Sequence, residues 1–200
     1  MNKKIGTVSS IINICAVAGF ALSMPFGFLF GAYFSSVCIA LSFIPMVCSF
    51  AAKGNSERRT AGYTAMIFAG IYAAINLLVY FTQLTTVRFG GLSEQAARLL
   101  DFQNFGLIFN FDMLGYCAMS LATFFAGMTI DAKAKSDRAL KWMLMAHGIF
   151  AISCLMIPLL GVFNTDMQGV AWIGTAVLEF WCIYFIPIGV LSFRHFKRNP

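Results

Sequence analysis

From Ile5 to Ala52 the chain runs for 48 residues without a charge. A soluble helix or strand of that length would be interrupted by polar positions, because one of its faces must meet water. A bilayer core about 30 Å thick is crossed by roughly 20 helical residues, so this stretch holds two crossings. Met24-Pro25-Phe26-Gly27 marks the turn between them, since Pro disrupts a helix and Gly permits a tight reversal. Dividing the rest at its charged and Gly/Asn/Ser-rich clusters gives six spans: Ile5–Met24, Phe30–Ala52, Tyr63–Val87, Asn104–Ile130, Trp142–Phe163 and Val170–Phe193. None shows the strict alternation of a barrel strand, and backbone groups in lipid must satisfy one another, so the expected fold is an all-α six-helix transmembrane bundle.

Residues 1–200 read as a single transmembrane domain with short connections and no low-complexity linker. Each half holds three spans, so an internal repeat would be of the inverted kind. No residue match between the halves supports one. One connection has a pattern of its own. In the segment Gly90 to Phe102, Leu92, Ala96 and Leu99 recur at helical spacing, Ser93 suits an N-cap, and Glu94 falls where the helix dipole favours an anion. A short amphipathic helix on the outer side is expected between the third and fourth spans.

Composition agrees with the pattern: 60% of residues are hydrophobic and only 11% charged. The net charge of +6 would suggest nucleic acid if it were spread over a soluble surface, but its placement says otherwise. Lys3, Lys4, Lys53, Arg58, Arg59, Lys133, Lys135, Arg138, Lys141, Arg194, Lys197 and Arg198 fall on one side of the membrane, and only Arg88 and Arg98 on the other. Positive charge is retained on the cytoplasmic side of short loops, so both termini are expected in the cytoplasm and the chain in a plasma (cell inner) membrane. The tail Arg194-His195-Phe196-Lys197-Arg198 is suited to anionic headgroups. The first span is read as a retained helix rather than a cleaved leader, because its apolar run exceeds the usual ~7–15 residues of a leader. Six cysteines without a C-x-x-C pair, all within spans, read as packing residues, not a redox relay.

Of eight acidic residues, only Asp112 and Glu179 lie deep within spans. An Asp at the centre of a membrane helix costs at least ~2.5–3.5 kcal/mol to insert, and such residues usually face the bundle interior and serve function. Asp112 lies eight residues past Asn104 and Glu179 nine past Val170. At 1.5 Å per residue both sit roughly 12–14 Å down the helix axis, at a common level. Neither has a Lys or Arg in its own span. Burial without a counter-ion favours the neutral acid unless a cation or a proton is bound. The third span supplies companions: Tyr72, Asn76, Tyr80 and Gln83 form one polar stripe, continued by Ala65 and Ala69, whose small size lets a neighbouring helix approach. Phe105, Asp112, Tyr116 and Thr123 share a face of the fourth span; Trp172, Thr175, Glu179 and Cys182 share one of the sixth. Aromatic faces beside carboxylates suit a cation. The expected site is thus an aromatic-walled cavity with acids near its floor, formed by Asp112, Glu179, Asn76, Tyr72, Tyr80, Gln83, Tyr116 and Trp172.

Several chemistries are excluded. Retinal needs an intramembrane lysine, and every Lys lies in a loop, a tail or a helix end. Bis-histidine haem and a nitrogen/sulfur metal site need more than His147, the one histidine inside a span. Gly90-Gly91-Leu92-Ser93 lacks the G-x-S-x-G pattern of a nucleophile elbow. No cofactor and no metal is expected. Number and length of spans are similar to those of the substrate-binding membrane subunits of vitamin importers, with no shared motif. The reading favoured is a transporter or membrane substrate-binding subunit for a proton-coupled or cationic small molecule. Its partners would be membrane lipids, that ligand, and either a second copy or a partner subunit. One alternative is a membrane-embedded enzyme or lipid-binding protein using the acids on a lipid headgroup. Another is a sensory or assembly protein whose stripe only joins helices.

Overall fold

In a computed structural model the chain is described over residues 1–163 and 171–198, and these residues are helical or irregular, with no strand. Six long apolar helical spans account for most of them. The first two are α1 (Asn2–Ser23) and α2 (Leu29–Lys53). The third is α3 (Arg59–Thr82), entered through a 3-10 turn at Ser56–Arg58 and closed by a π-turn at Gln83–Val87. The short α4 (Glu94–Leu100) follows, and then α5 (Leu107–Thr129), the fourth span. The fifth span is broken into α6 (Lys135–His147) and α7 (Phe150–Leu159), and the sixth is α8 (Ala171–Arg198). Val170, where the sixth span is expected to begin, lies outside the described residues.

The spans form a ring. α1 packs on α2 and α8, α2 on α3, α3 on α5, and α5 on both α6 and α7, while α2 also touches α5 across the middle. Small residues permit the close crossings. A Cβ on Gly6 would overlap the Phe196 ring at 2.7 Å, and one on Gly189 would meet Ile14 at 2.6 Å, both across the α1–α8 seam. Asn13 adds hydrogen bonds across α1–α2, its amide donating to Ser42 Oγ at 3.0 Å and the Ile39 carbonyl at 3.4 Å. Large apolar residues on the outside, such as Ile67, Leu78, Phe81, Ile149 and Ile152, are exposed, as a lipid-facing belt requires.

Charged segments distant in sequence meet at one end of the ring. Lys53 lies 5.8 Å from the Phe196 ring centroid, Arg58 reaches the Thr129 carbonyl at 3.5 Å, and Arg198 and His195 both meet the Asp137 carboxylate at 3.0 Å. The α1–α2 turn, α4 and the segment before α5 occupy the opposite end. α4 is capped as expected, with Ser93 Oγ accepting from the Ala96 amide at 3.3 Å.

Two departures from the expected spans matter. The fifth begins at Lys135 rather than Trp142, because a helix needs only its own hydrogen bonds, not lipid, to continue through Arg138 and Lys141. That span also breaks at Gly148-Ile149, where amides bond three residues back: Gly148 to Met145, Ile149 to Ala146, Ala151 to Gly148, Ile152 to Ile149. Such tightening redirects the axis. Gly148 is required there, since a Cβ would meet the Phe124 side chain at 2.9 Å and the Met145 carbonyl at 3.0 Å.

Candidate functional site

Asp112 lies in the second turn of α5, and it is buried. The Asn76 amide on α3 donates to its Oδ1 at 3.1 Å. The two helices come this close because Gly115, one turn below Asp112, has no side chain: a Cβ there would stand 2.6 Å from Asn76 Oδ1. That Asn76 oxygen has no hydrogen-bond partner among the described residues. The Tyr80 hydroxyl also reaches Asp112, with Tyr116 and Ser36 as its other neighbours. Tyr72 is buried beneath, edge-on to Phe43 at 5.3 Å and 6.0 Å from Tyr116. Among the described residues no Lys, Arg or His pairs with Asp112.

On the side away from Asn76, Asp112 and Tyr116 face a cavity of about 240 Å³. Phe102, Phe105, Phe109 and Phe163 supply aromatic wall, joined by Met113, Ile157 of α7, and Gly174, Thr175, Val177 and Leu178 of α8. The rings form one connected set: Phe105 to Phe109 at 5.1 Å, Phe105 to Phe163 at 5.4 Å, Phe102 to Phe109 at 5.4 Å. The end of the cavity beside the α1–α2 turn is lined by Met24, Gly27, Leu29, Phe102 and Gln103. A wider groove of about 570 Å³ runs along the outside of α1 and α2, but Lys4 is its one ionisable residue apart from the Cys38 thiol.

The expected site residues fall into three groups. Asp112 and Tyr116 line the cavity, and Asn76, Tyr80 and Tyr72 stand behind them as buried support. Gln83 serves the backbone: its Nε2 donates to the Leu100 carbonyl at 2.7 Å, and its Oε1 accepts from the Phe102 amide at 3.1 Å. Both ends of its amide are thus spent on holding the chain that leads into α5. Trp172 points outward, 69% exposed. Glu179 is half-buried and outside the cavity lining, although Leu178 beside it belongs to that lining; its Oε1 is buried with no partner among the described residues.

A network not expected from sequence lies below the cavity. Tyr116 meets Trp181 edge-on at 5.5 Å. The Trp181 indole donates to His147 Nε2 at 3.0 Å, and His147 Nδ1 lies 2.8 Å from Thr123 Oγ1, which donates to the Ser120 carbonyl at 2.8 Å. An indole nitrogen is a donor only, so His147 Nε2 must accept. The proton of a neutral ring then sits on Nδ1 and is donated to Thr123. Every polar atom in this relay is satisfied, which makes His147 a structural residue joining α5, α6 and α8. Its partners are Thr123 and Trp181, whereas Asn13 is engaged with Ser42. The signal available in sequence was the spacing of Thr123 seven residues after Tyr116, which puts both on one face of α5.

Among the described residues no cluster of three or more His, Cys, Asp or Glu is placed to hold a metal. The cysteines are free and lie within helices. The chain is therefore a helical protein with six candidate membrane spans; no family model, no curated protein and no solved structure matches it.

Proposed function

We propose that this chain binds a small cationic solute, or a proton coupled to one, in the Asp112 cavity, as a transporter or as the membrane substrate-binding subunit of one. The observation that carries the reading is a buried carboxyl group facing an aromatic-walled cavity with no basic side chain paired to it. Structural carboxylates in apolar surroundings are normally paired with a cation. Here the natural complement is one supplied by a ligand, assisted by the ring faces at about 0.5–2 kcal/mol per favourable contact. A cavity of about 240 Å³ is at the small end for organic ligands and suits a simple amine. Glu179, beside the lining residue Leu178, is the second acid of the pathway.

The basic end of the bundle, by the rule that positive charge stays inside, is the cytoplasmic one, so both termini lie in the cytoplasm and the cavity lies nearer the outer surface. The membrane is a plasma membrane.

Trp181, which touches the cavity wall through Tyr116, reports on occupancy. A protein carrying Trp142→Phe and Trp172→Phe, reconstituted in lipid nanodiscs, is titrated with tetramethylammonium and with phenethylamine. Saturable change of Trp181 fluorescence is expected, with affinity reduced at least about tenfold by Asp112→Asn, or about 1.4 kcal/mol. Radiolabelled tetramethylammonium uptake into proteoliposomes should fall in parallel. Unchanged titration and uptake in Asp112→Asn would remove the basis of the reading.

A further inference from the structure

We propose that the cavity is loaded sideways from the lipid phase, between α7 and the Trp172–Phe180 half of α8, and that its ligand is a membrane-partitioned amphiphile with a cationic amine head and an apolar tail. This rests on the reading of Asp112 given above.

The ring of helices is closed at one end and open at the other. At the basic end α6 packs on α8, and the seam holds to the level of Phe150 and Tyr184, whose rings are 6.1 Å apart. Past the break at Gly148-Ile149 the chain continues as α7, which packs along α5, and among the described residues α7 and α8 do not form one of the principal helix–helix interfaces. The two halves of α8 differ accordingly. Trp181, Cys182, Phe185, Ile188, Ser192, His195 and Phe196 are buried, while none of the described side chains from Trp172 to Phe180 is. α7 buries only Ala151. Ile157 and Phe163 flank the gap on one side, Gly174, Val177 and Leu178 on the other, with Asp112, Met113 and Tyr116 behind.

The competing route, from water at the end bearing the α1–α2 turn, passes Met24, Gly27, Leu29, Phe102 and Gln103. Phe102 is held by its amide bond to Gln83, and Gln103 is fixed to the Tyr33 hydroxyl at 3.2 Å. The lateral edges are apolar: Val177 and Leu159 are more than half exposed, on surfaces that the bundle presents to lipid. An acyl or alkyl tail can stay in that gap while an amine head reaches Asp112. A fully hydrated small ion would have to shed its water against an apolar wall before reaching the acid. The Glu179 carboxyl, next in sequence to Leu178 at the edge, gives the head a first polar stop.

The test uses the same nanodisc-embedded protein with Trp181 as its sole tryptophan. Its probes are dodecyltrimethylammonium below its micellar concentration, tetramethylammonium, and uncharged dodecanol. Gly174→Phe is the obstructing variant, because Gly174 lines the cavity and no described residue lies within 4 Å of a Cβ there. Corrected for partition into the bilayer, the long-chain amine should bind at least about tenfold tighter than tetramethylammonium, with dodecanol silent. Gly174→Phe should slow its stopped-flow association about tenfold or more. Competition by phosphatidylethanolamine doped into the nanodisc would identify a lipid amine as the source, and no competition a foreign amphiphile; either agrees with the proposal. If tail length makes no difference and Gly174→Phe leaves association unchanged while Asp112→Asn still weakens binding, lateral loading is wrong and the cavity reading stands. If Asp112→Asn changes nothing, both fall.

Discussion

Gly115→Ala is the substitution that most directly tests how Asp112 is held. In an ordinary helix interior, replacing Gly by Ala stabilises by about 1 kcal/mol, since Ala loses less conformational freedom on folding. At this position the added methyl would stand 2.6 Å from Asn76 Oδ1, about 0.8 Å short of the 3.4 Å at which ordinary contact begins, and 3.3 Å from Ile75 Cγ2. The amide cannot simply rotate away, because its nitrogen is the donor to Asp112. Either α3 and α5 separate, at the ~1–3 kcal/mol typical of overpacking, or the hydrogen bond is lost, at about 1–3 kcal/mol when a charged group is involved. Set against the propensity gain of about 1 kcal/mol, a net loss of about 0–2 kcal/mol is expected.

Asn76→Ala removes the clashing oxygen together with the donor. In that background Gly115→Ala should be close to neutral or slightly stabilising, so the two sites should couple by about 1–3 kcal/mol. Gly70→Ala is the control, because no described residue lies within 4 Å of its Cβ. It should stabilise by about 0.5–1 kcal/mol. Reversible unfolding in mixed micelles of dodecylmaltoside and SDS, followed by circular dichroism, measures the parent and all four variants. A Gly115→Ala variant more stable than the parent by the full helix-propensity gain of about 1 kcal/mol, or a coupling below about 0.3 kcal/mol, would refute the claim that the missing side chain sets the approach of α3 to α5.

Three further outcomes follow from other contacts. Gln83→Ala leaves the Leu100 carbonyl and the Phe102 amide without their partner, so it should cost about 2–4 kcal/mol and raise amide exchange across residues 94–105 more than elsewhere. His147→Phe removes the acceptor for the Trp181 indole and should lower stability by about 1–3 kcal/mol; in the parent, nitrogen NMR of labelled histidine should show the ring protonated on Nδ1, and an Nε2-protonated ring would contradict the assigned relay. Asp137→Asn weakens its contacts with His195 and Arg198 and should loosen the end of α8, read as faster proteolysis of the C-terminal tail; an unchanged digestion pattern would show that the latch contributes nothing.

The spans were legible because lipid leaves the backbone one economical solution, and twenty apolar residues announce it without reference to any neighbour. The break in the fifth span was not. Its cause is Phe124, some twenty residues away on α5, against which only a glycine at 148 fits, and a lone Gly in an apolar run carries no such message. Rise per residue gives an expected depth, a common level for Asp112 and Glu179, but it does not give facing. α5 is enclosed by α3, α6 and α7, which turns Asp112 inward, whereas α8 is enclosed only from Trp181 onward, so that Trp172 points out and Glu179 stays at an edge. The stripe on α3 was correctly a stripe, but shared facing does not mean shared purpose: Asn76 meets a side chain on α5, and Gln83 meets main chain before it.

Hydrogen-bond accounting separates adhesive from site more sharply than burial does. Gln83 and His147 are each almost wholly buried, and each has its donor and acceptor matched by protein. Nothing is left over for a ligand, and replacing either by a residue of like shape should change stability more than binding. Asn13, Asn76 and Glu179 each retain a buried oxygen that no described residue engages, and Asp112, besides its bonds to α3, faces open volume. An unmatched acceptor in an apolar medium costs about 1–3 kcal/mol, a cost that evolution could have removed with a leucine. Of these groups Asp112 is the one that lines the cavity, so it is there that a donor-bearing cation would gain on binding, and a ligand lacking a positive charge or a donor should gain nothing.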